Sequence, residues 1–187
     1  MISIALQLGR IRAAFAVLLR WCGVLAGFVT FAMMLLVVAN AVLRYAINVP
    51  VTGALEITEA MLCVLIFLSL ALTQYEGGHI HVTLLVKRLR PRVRKLLGLA
   101  AMLLGFAFFA WCSSATWQFA MKSLALGEQE WGAIQFPIYP IKFVVFFGIL
   151  LLAVQFLLDA AAIACGIEPG RKEPLPEEVS IDAGGRL

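Results

Sequence analysis

Two histidines, His79 and His81, are the side chains in this sequence that could most readily hold a metal ion or a haem. A haem with two histidine ligands needs imidazoles that face each other from two different helices. These two lie two positions apart in one segment, so on a helix they would point to different faces. An extended chain could offer both to one metal ion, but no cysteine or carboxylate cluster completes the ligand set. We therefore interpret His79 as a structural residue that caps or anchors its segment.

Glu56 and Glu59 lie three positions apart and share one face if their segment is helical. Paired carboxylates in a membrane can relay protons or bind sodium, because charge there is costly and usually functional. Both lie near the start of an apolar run, however, and Arg44 ends the run before it. The sequence favours a salt bridge that fixes the first helical hairpin, with contact to a partner protein as the alternative. Ion transport by these two alone would need an inverted repeat or broken helices, and the sequence has neither pattern.

The four cysteines are spread over the apolar runs, and none belongs to a Cys-x-x-Cys pair. We interpret them as small buried apolar residues rather than as disulfides or metal ligands. The sequence also lacks a Walker loop, a nucleophile elbow, a dinucleotide fingerprint and a zinc motif. It therefore predicts no catalytic residue, no cofactor and no enzyme activity.

The composition places the whole chain in a membrane. Of its 187 residues, 63% are hydrophobic and only 14% are charged, and the mean hydropathy is +0.97. A soluble domain would be about half apolar and roughly a quarter charged. The net charge of +4 could suggest nucleic acid, but the basic residues lie at the ends of apolar runs and form no aromatic-interleaved basic face. We predict an all-α integral membrane protein that does not bind nucleic acid.

Four apolar runs are long enough to cross about 30 Å of hydrocarbon as helices. They are predicted at Trp21–Leu43, Leu55–Gln74, Leu96–Met121 and, after Pro137 and Pro140, up to Ala164. Residues 1–20 are predicted to be an amphipathic helix at the membrane surface, and residues 21–165 the transmembrane domain. A short interfacial helix is predicted at His79–Leu89, with the next helix beginning at Pro91. Residues 166–187, rich in Pro, Gly and charge, are predicted to be disordered.

A basic cluster between the second and third runs sets the orientation. It contains six of the fifteen basic residues, namely Lys87, Arg88, Arg90, Arg92, Arg94 and Lys95. Lysine and arginine beside a span are retained on the cytoplasmic side, where anionic lipid also attracts them. This orientation leaves three basic residues on the other side, Arg44, Lys122 and Lys142. We predict that both termini are cytoplasmic and that the cluster anchors the protein to the membrane.

Two charged residues of the fourth run, Lys142 and Asp159, are predicted to extend toward opposite membrane surfaces. Trp111 and Trp117 lie along the third run, away from its ends. Tryptophan is normally enriched at membrane interfaces, and these two residues lie away from them. We therefore predict that they contact a partner protein.

Short motifs give the sequence a resemblance to a known family. Asn40-Ala41-Val42-Leu43-Arg44-Tyr45 closes the first run, and Gly53-Ala54-Leu55-Glu56 opens the second. Gly78-His79-Ile80-His81-Val82 follows the second run, and Phe136-Pro137 precedes the fourth. In order and placement, the motifs resemble the small membrane subunit (DctQ-like) of tripartite ATP-independent periplasmic (TRAP) transporters. One departure is Thr83, where the family often has an acidic residue.

The resemblance implies a role as an accessory subunit in a bacterial inner membrane. A large membrane subunit (DctM-like) would carry the substrate and sodium sites. A periplasmic substrate-binding protein (DctP-like) would deliver an organic acid. This chain would scaffold the large subunit, and its structural or subunit-interface candidates are Asn40, Arg44, Glu56, Glu59, His79 and Pro137. The alternatives are a small redox protein similar to a b-type cytochrome and a self-sufficient small transporter.

Overall fold

The computed structural model of the chain describes residues 2–77, 91–129, 132 and 134–165, with side chains omitted at 2–6, 91 and 92. This part of the chain forms four α-helices and no β-strand. The helices are α1 (Ile2–Ala46), α2 (Ala54–Tyr75), α3 (Pro91–Leu126) and α4 (Tyr139–Ala164). Each is long and apolar enough to cross a membrane. The prediction of an all-α protein with four spans is confirmed.

Proline and glycine set three of the helix ends. Pro91 begins α3, because its ring has the helical φ and its missing N–H would have no partner in the first turn. Gly127, with φ 59°, follows the last residue of α3, and Gly77, with φ 74°, follows the end of α2. Glycine adopts this left-handed conformation without steric cost, so both stop signals were readable in the sequence. The predicted bounds of α2 and α4 agree closely with the observed ones.

The first helix differs from the prediction in its length. Residues 2–20 are helical, but they continue into the first span without a break. With 45 residues at 1.5 Å each, α1 is about 67 Å long, roughly twice the thickness of the hydrocarbon. The placement of residues 1–20 at the membrane surface remains a prediction. The predicted helix at His79–Leu89 and the tail at 166–187 lie outside the described residues.

The helices pack in the order α1, α2, α4, α3. The two central helices, α2 and α4, pack against each other, while α1 packs on α2 and α3 packs on α4. Contact between α1 and α4 is slight. The core lies where α1, α2 and α4 meet, and its members are Leu19, Cys22, Ala26, Leu68, Ala71, Leu151 and Leu152. The outer helices α1 and α3 therefore each leave a broad apolar side uncovered.

Glycines allow the closest helix approaches. Gly23 of α1 faces the side chain of Leu72, and Gly105 of α3 faces the ring of Phe156. Gly148 of α4 lies directly against the backbone carbonyl of Phe67 in α2. A side chain can move aside for a new methyl group, whereas a helix backbone cannot do so without shifting the whole helix. Gly148 therefore sets the distance between the two central helices.

We predict that Gly148→Ala destabilises the protein by about 1–3 kcal/mol, the usual cost of overpacking a core. The added methyl group would collide with the Phe67 carbonyl and separate α2 from α4. The measurement is thermal unfolding in detergent. Gly27→Ala is the matched control, because Gly27 is also within a helix but has no atom within 4 Å of the added methyl position. Both changes improve helix propensity, so equal stability of the two variants would contradict the prediction.

Candidate functional site

A polar cluster joins the helices at one end of the bundle. This tail end is where α2 and α4 finish and α3 begins. Asp159 of α4 is only 3% exposed and accepts three hydrogen bonds. Its Oδ1 accepts from Arg12 Nη2 at 3.1 Å and from Gln155 Nε2 at 2.9 Å, and its Oδ2 accepts from Gln74 Nε2 at 3.1 Å. One carboxylate thereby joins α1, α2 and α4.

The cluster also contacts the remaining helix, α3, because Gln74 Nε2 lies 3.8 Å from the Met102 sulfur. A buried carboxylate without partners would cost several kcal/mol, so the surrounding donors are a condition for its burial. The prediction that Asp159 extends to the membrane surface is wrong. Its partner Arg12 is 147 positions away in the sequence, and no local pattern could connect the two. The available signal was the general one that charge inside a membrane needs a partner.

The predicted membrane anchor is only partly described. Arg94 and Lys95 lie exposed in the first turns of α3, and Lys95 Nζ donates to the carbonyl oxygen of Ala164 at 3.1 Å. This carbonyl is at the end of α4, where a cation also interacts favourably with the helix dipole. Arg92 lies in the first turn of α3, its side chain undescribed. Lys87, Arg88, Arg90 and the histidine His79 lie outside the described residues.

At the opposite end, the turn end, Asn40 holds the connection between α1 and α2. Its side-chain oxygen Oδ1 accepts a hydrogen bond from the backbone N–H of Val51 at 2.9 Å. Within the same turn, the Val49 N–H donates to the carbonyl of Leu43. Asn48 occupies the left-handed region with φ 57°, a conformation that asparagine tolerates better than most residues. Asn40 therefore links the last part of α1 to the turn before α2.

Glu56 is buried at the start of α2, where it is 8% exposed. A Cβ on Gly132, in the loop between α3 and α4, would collide with its carboxylate. Only glycine fits there, so the loop packs directly over this side chain. Arg44 and Glu59 are both exposed. The salt bridge that we expected to fix the first hairpin remains a prediction.

The loop between α3 and α4 is pinned beside Pro137. Pro137 pairs with Gln129, and the Ile138 N–H donates to the carbonyl of Glu128 at 3.1 Å. Lys142 Nζ contacts Glu128 Oε2 at 2.5 Å and lies 4.0 Å from the centre of the Phe119 ring. The prediction that Lys142 extends toward a membrane surface agrees with this contact to a loop residue.

The two tryptophans of α3 have different surroundings. Trp117 packs on the rings of Phe143 and Phe146 in α4, with ring centres 5.9 Å and 5.0 Å away. Trp111 is 70% exposed, and its neighbours on the same face, Leu104 and Phe108, are exposed as well. We call these three residues the Trp111 face. Helix α1 has a comparable exposed side around Phe28.

Neither a metal site nor a disulfide is present among the residues described above. They contain no group of three or more His, Cys, Asp or Glu side chains that could hold a metal ion. The four cysteines are free thiols, and Cys22 belongs to the core. The described features are thus contacts between the helices and exposed apolar faces.

Comparison with known protein families gives a match. A sequence model of the family described as tripartite ATP-independent periplasmic transporters, DctQ component, matches residues 33–166. The matched range contains the last part of α1, from residue 33, and the whole of α2, α3 and α4, together with Asp159 and the Trp111 face. No protein among those with curated descriptions matches the chain.

We predict that Asp159→Asn destabilises the bundle by on the order of 2–3 kcal/mol, although the two side chains have the same shape. All three neighbours donate to Asp159, so the amide NH₂ of asparagine would place a donor against a donor. The measurement is thermal unfolding in detergent. The control is Glu59→Gln, which removes one negative charge from an exposed position and should change stability little.

Arg12→Gln should cost much less in the Asp159→Asn background than in the wild type, because the two residues act as one unit. Additive losses in this double-mutant cycle would contradict a direct contact between Arg12 and Asp159.

We predict that the Glu128–Lys142 contact loses its contribution to stability in acid. The hydrogen bond from Lys142 holds the pKa of Glu128 below its ordinary value of 4.5. Because the folded pKa is the lower one, the contribution is fully present above the unfolded pKa and is lost as the pH falls through the folded pKa. The thermal stability of the wild type should exceed that of Glu128→Gln at pH 7, and the difference should shrink below about pH 4.5.

Lys142→Gln should show the same loss of pH dependence as Glu128→Gln, because either change removes the pair. A difference between wild type and Glu128→Gln that stays constant from pH 7 to pH 3 would contradict the role of this contact.

Proposed function

Because the chain belongs to the DctQ family of TRAP transporter components, we propose that it scaffolds the large membrane subunit of such a transporter. The family is a transporter component rather than an enzyme family, and its transporters also contain a large membrane component and a periplasmic binding component. In our proposal the large subunit performs sodium-driven uptake of an organic acid that the binding protein delivers. The chain itself contributes no substrate site and lies in a bacterial inner membrane.

The observation that carries the proposal is the Trp111 face. Trp111 is near the middle of α3, far from the membrane interfaces where tryptophan is normally enriched. It is exposed together with Leu104 and Phe108, whereas Trp117 on the same helix packs on α4. Large aromatic side chains at the centre of a buried surface are typical of binding hot spots. We infer that this face of α3 binds the large subunit.

The internal braces suit a scaffold that must stay fixed while its partner moves. A transporter subunit that shifts along the membrane normal exerts force on whatever holds it. The Asp159 cluster at the tail end and the Asn40 and Glu128 contacts at the turn end oppose sliding between the four helices. The basic cluster with Arg94 and Lys95 would anchor the assembly to anionic lipid, which resists vertical displacement.

The loops at the turn end would face the periplasm in the predicted orientation. These are the turn between α1 and α2, predicted at Tyr45–Ala54, and the connection between α3 and α4, which was predicted at Lys122–Gln135 and begins after Leu126. We propose that they help to dock the binding protein. The contacts of Asn40 with Val51 and of Glu128 with Lys142 support this role, because residues that are already fixed lose less entropy on binding.

The test is co-purification with the large subunit from membranes. We expect the double change Trp111→Ala and Phe108→Ala to weaken retention of the large subunit by about tenfold or more, as for a hot spot. The control is Phe28→Ala, which truncates a similarly exposed aromatic side chain on α1. Uptake of the organic acid by the reconstituted three-component system should fall in parallel with retention.

Three results would contradict the proposal at different levels. If only Phe28→Ala weakened retention, the large subunit would bind α1, and the assignment of the Trp111 face would be wrong. If the chain alone in liposomes took up an organic acid with sodium, it would be a self-sufficient transporter and the scaffold role would be wrong. A Soret band in the absorption spectrum of the purified chain would instead indicate a haem protein.

A further inference from the structure

The exposed side of α1 forms one continuous strip that begins and ends with an aromatic residue. Trp21 is 69% exposed and Tyr45 is 89% exposed. The residues between them on the strip are also exposed and have only aliphatic or phenyl side chains; they are Val24, Phe28, Phe31, Leu35, Val38 and Val42. All of these follow one another at intervals of three or four positions, so they share one side of the helix. We call this strip, from Trp21 to Tyr45, the Phe28 side.

The two ends of the Phe28 side are separated by about the thickness of a bilayer. Trp21 and Tyr45 lie 24 positions apart in one helix, which at 1.5 Å per residue is about 36 Å. The hydrocarbon is about 30 Å thick, and the bilayer with its headgroups is about 40–45 Å thick. Each ring is therefore at the boundary between hydrocarbon and headgroups, where Trp and Tyr are enriched. Residues 22–43 contain no charged residue and no other Trp or Tyr.

The polar side chains of this part of α1 are bonded within the chain. Thr30 Oγ1 donates to the carbonyl oxygen of Ala26 at 2.8 Å, and Asn40 Oδ1 accepts from the Val51 N–H. The Phe28 side thus consists of groups that lipid chains satisfy completely. The outer side of α3 differs, because Trp111 is exposed there near the middle of the helix, away from either boundary.

The charge of α1 distinguishes between possible neighbours. The helix contains no Asp or Glu, and Arg20, next to Trp21, is exposed. Two copies of the chain have the same orientation in a membrane, so a two-fold contact through the Phe28 side would bring both Arg20 residues together at one depth. Like charges repel there, whereas the headgroup of an anionic lipid is attracted to arginine.

We propose that the Phe28 side of α1 faces bilayer lipid and that Arg20, beside Trp21, binds the headgroup of an anionic phospholipid. The two aromatic ends of the strip set the depth of α1 in the bilayer. In the assembled transporter, α1 is then the outer edge of the scaffold, and α3 is the edge that binds protein. Only this last statement rests on the proposed function, since the lipid contact does not require the large subunit.

The first test measures depth with tryptophan fluorescence, because bromine on a lipid chain quenches tryptophan only at close range. The full-length chain is reconstituted in phosphatidylcholine liposomes with every tryptophan except Trp21 replaced by phenylalanine. We expect bromine near the headgroup to quench Trp21 more strongly than bromine near the end of the lipid chain. In Leu35→Trp, with Trp21→Phe added, the order should reverse, because residue 35 is close to the midpoint of the strip.

The second test measures the choice of lipid at Trp21 by comparing brominated phosphatidylglycerol with brominated phosphatidylcholine. One basic residue near an anionic surface should give a preference for phosphatidylglycerol of about fivefold. Arg20→Gln should reduce this preference to about half or less. Arg44→Gln is the matched control, because it removes an exposed arginine from the other end of the same helix and should leave the preference unchanged.

The third test uses the assembled transporter with all of its natural tryptophans, so it does not depend on the folding of the single-tryptophan variants. The photo-cross-linking residue benzoylphenylalanine replaces Phe28 in one variant and Phe108 in another. We expect residue 28 to cross-link to lipid and residue 108 to cross-link to the large subunit. Both positions are exposed phenylalanines, one on each outer helix.

Three outcomes would overturn the proposal. The first is quenching of Trp21 and of Leu35→Trp in the same order of bromine depth. The second is a full preference for phosphatidylglycerol in Arg20→Gln. The third is a cross-link from residue 28 to the large subunit or to a second copy of the chain. A cross-link from residue 108 to lipid alone would instead contradict the proposed binding of the large subunit to α3 and leave the lipid contact of α1 intact.

Discussion

The burial of one carboxylate, that of Asp159, constrains the arrangement of the helices more than any other single contact. A carboxylate excluded from water needs a donor for each oxygen, and the nearest donors belong to three helices. Moving α1 or α2 away from α4 would remove one of these donors and leave the charge without it. Because the buried charge needs all of these donors, the network favours one arrangement of the helices over others. Buried polar groups are known to give such structural specificity in some systems.

The middle of the bundle has apolar contacts, in contrast to the polar cluster around Asp159 at the tail end. Between the polar contacts at its two ends, the helices meet through Leu and Ala side chains and through glycines such as Gly148. In a bilayer such contacts gain little from the hydrophobic effect, because lipid chains are as apolar as leucine, so close packing must supply the attraction. Small residues and end braces are complementary, since the first allow close approach and the second fix the register.

The sequence was informative about the helices and much less so about their contacts. Pro91 and Gly77 act on the local backbone, so the ends that they set were predictable from the residue types alone. The end of α3 was predicted at Met121, but the helix continues to Leu126, just before Gly127. Asp159 was misplaced because its partner is contributed by the other end of the chain. The contact of Gly132 with Glu56 was not predicted for a related reason, because that loop is distant from Glu56 in the sequence. Trp111 and Trp117 could not be distinguished from the sequence, because only the position of α4 shows that Trp117 is packed and Trp111 is exposed.

The order of the helices in space differs from their order in the chain, and this has a consequence for biogenesis. A ribosome delivers α3 before α4, yet within the described residues α3 packs almost entirely on α4. The hairpin of α1 and α2 can form as soon as it is synthesised, whereas α3 must wait in the lipid until translation is nearly complete. Asp159 is close to the end of the last helix, so the hydrogen bonds that join α4 to α1 and α2 form last. Truncation of the nascent chain before this point would leave α3 inserted but undocked, a natural substrate for membrane quality control.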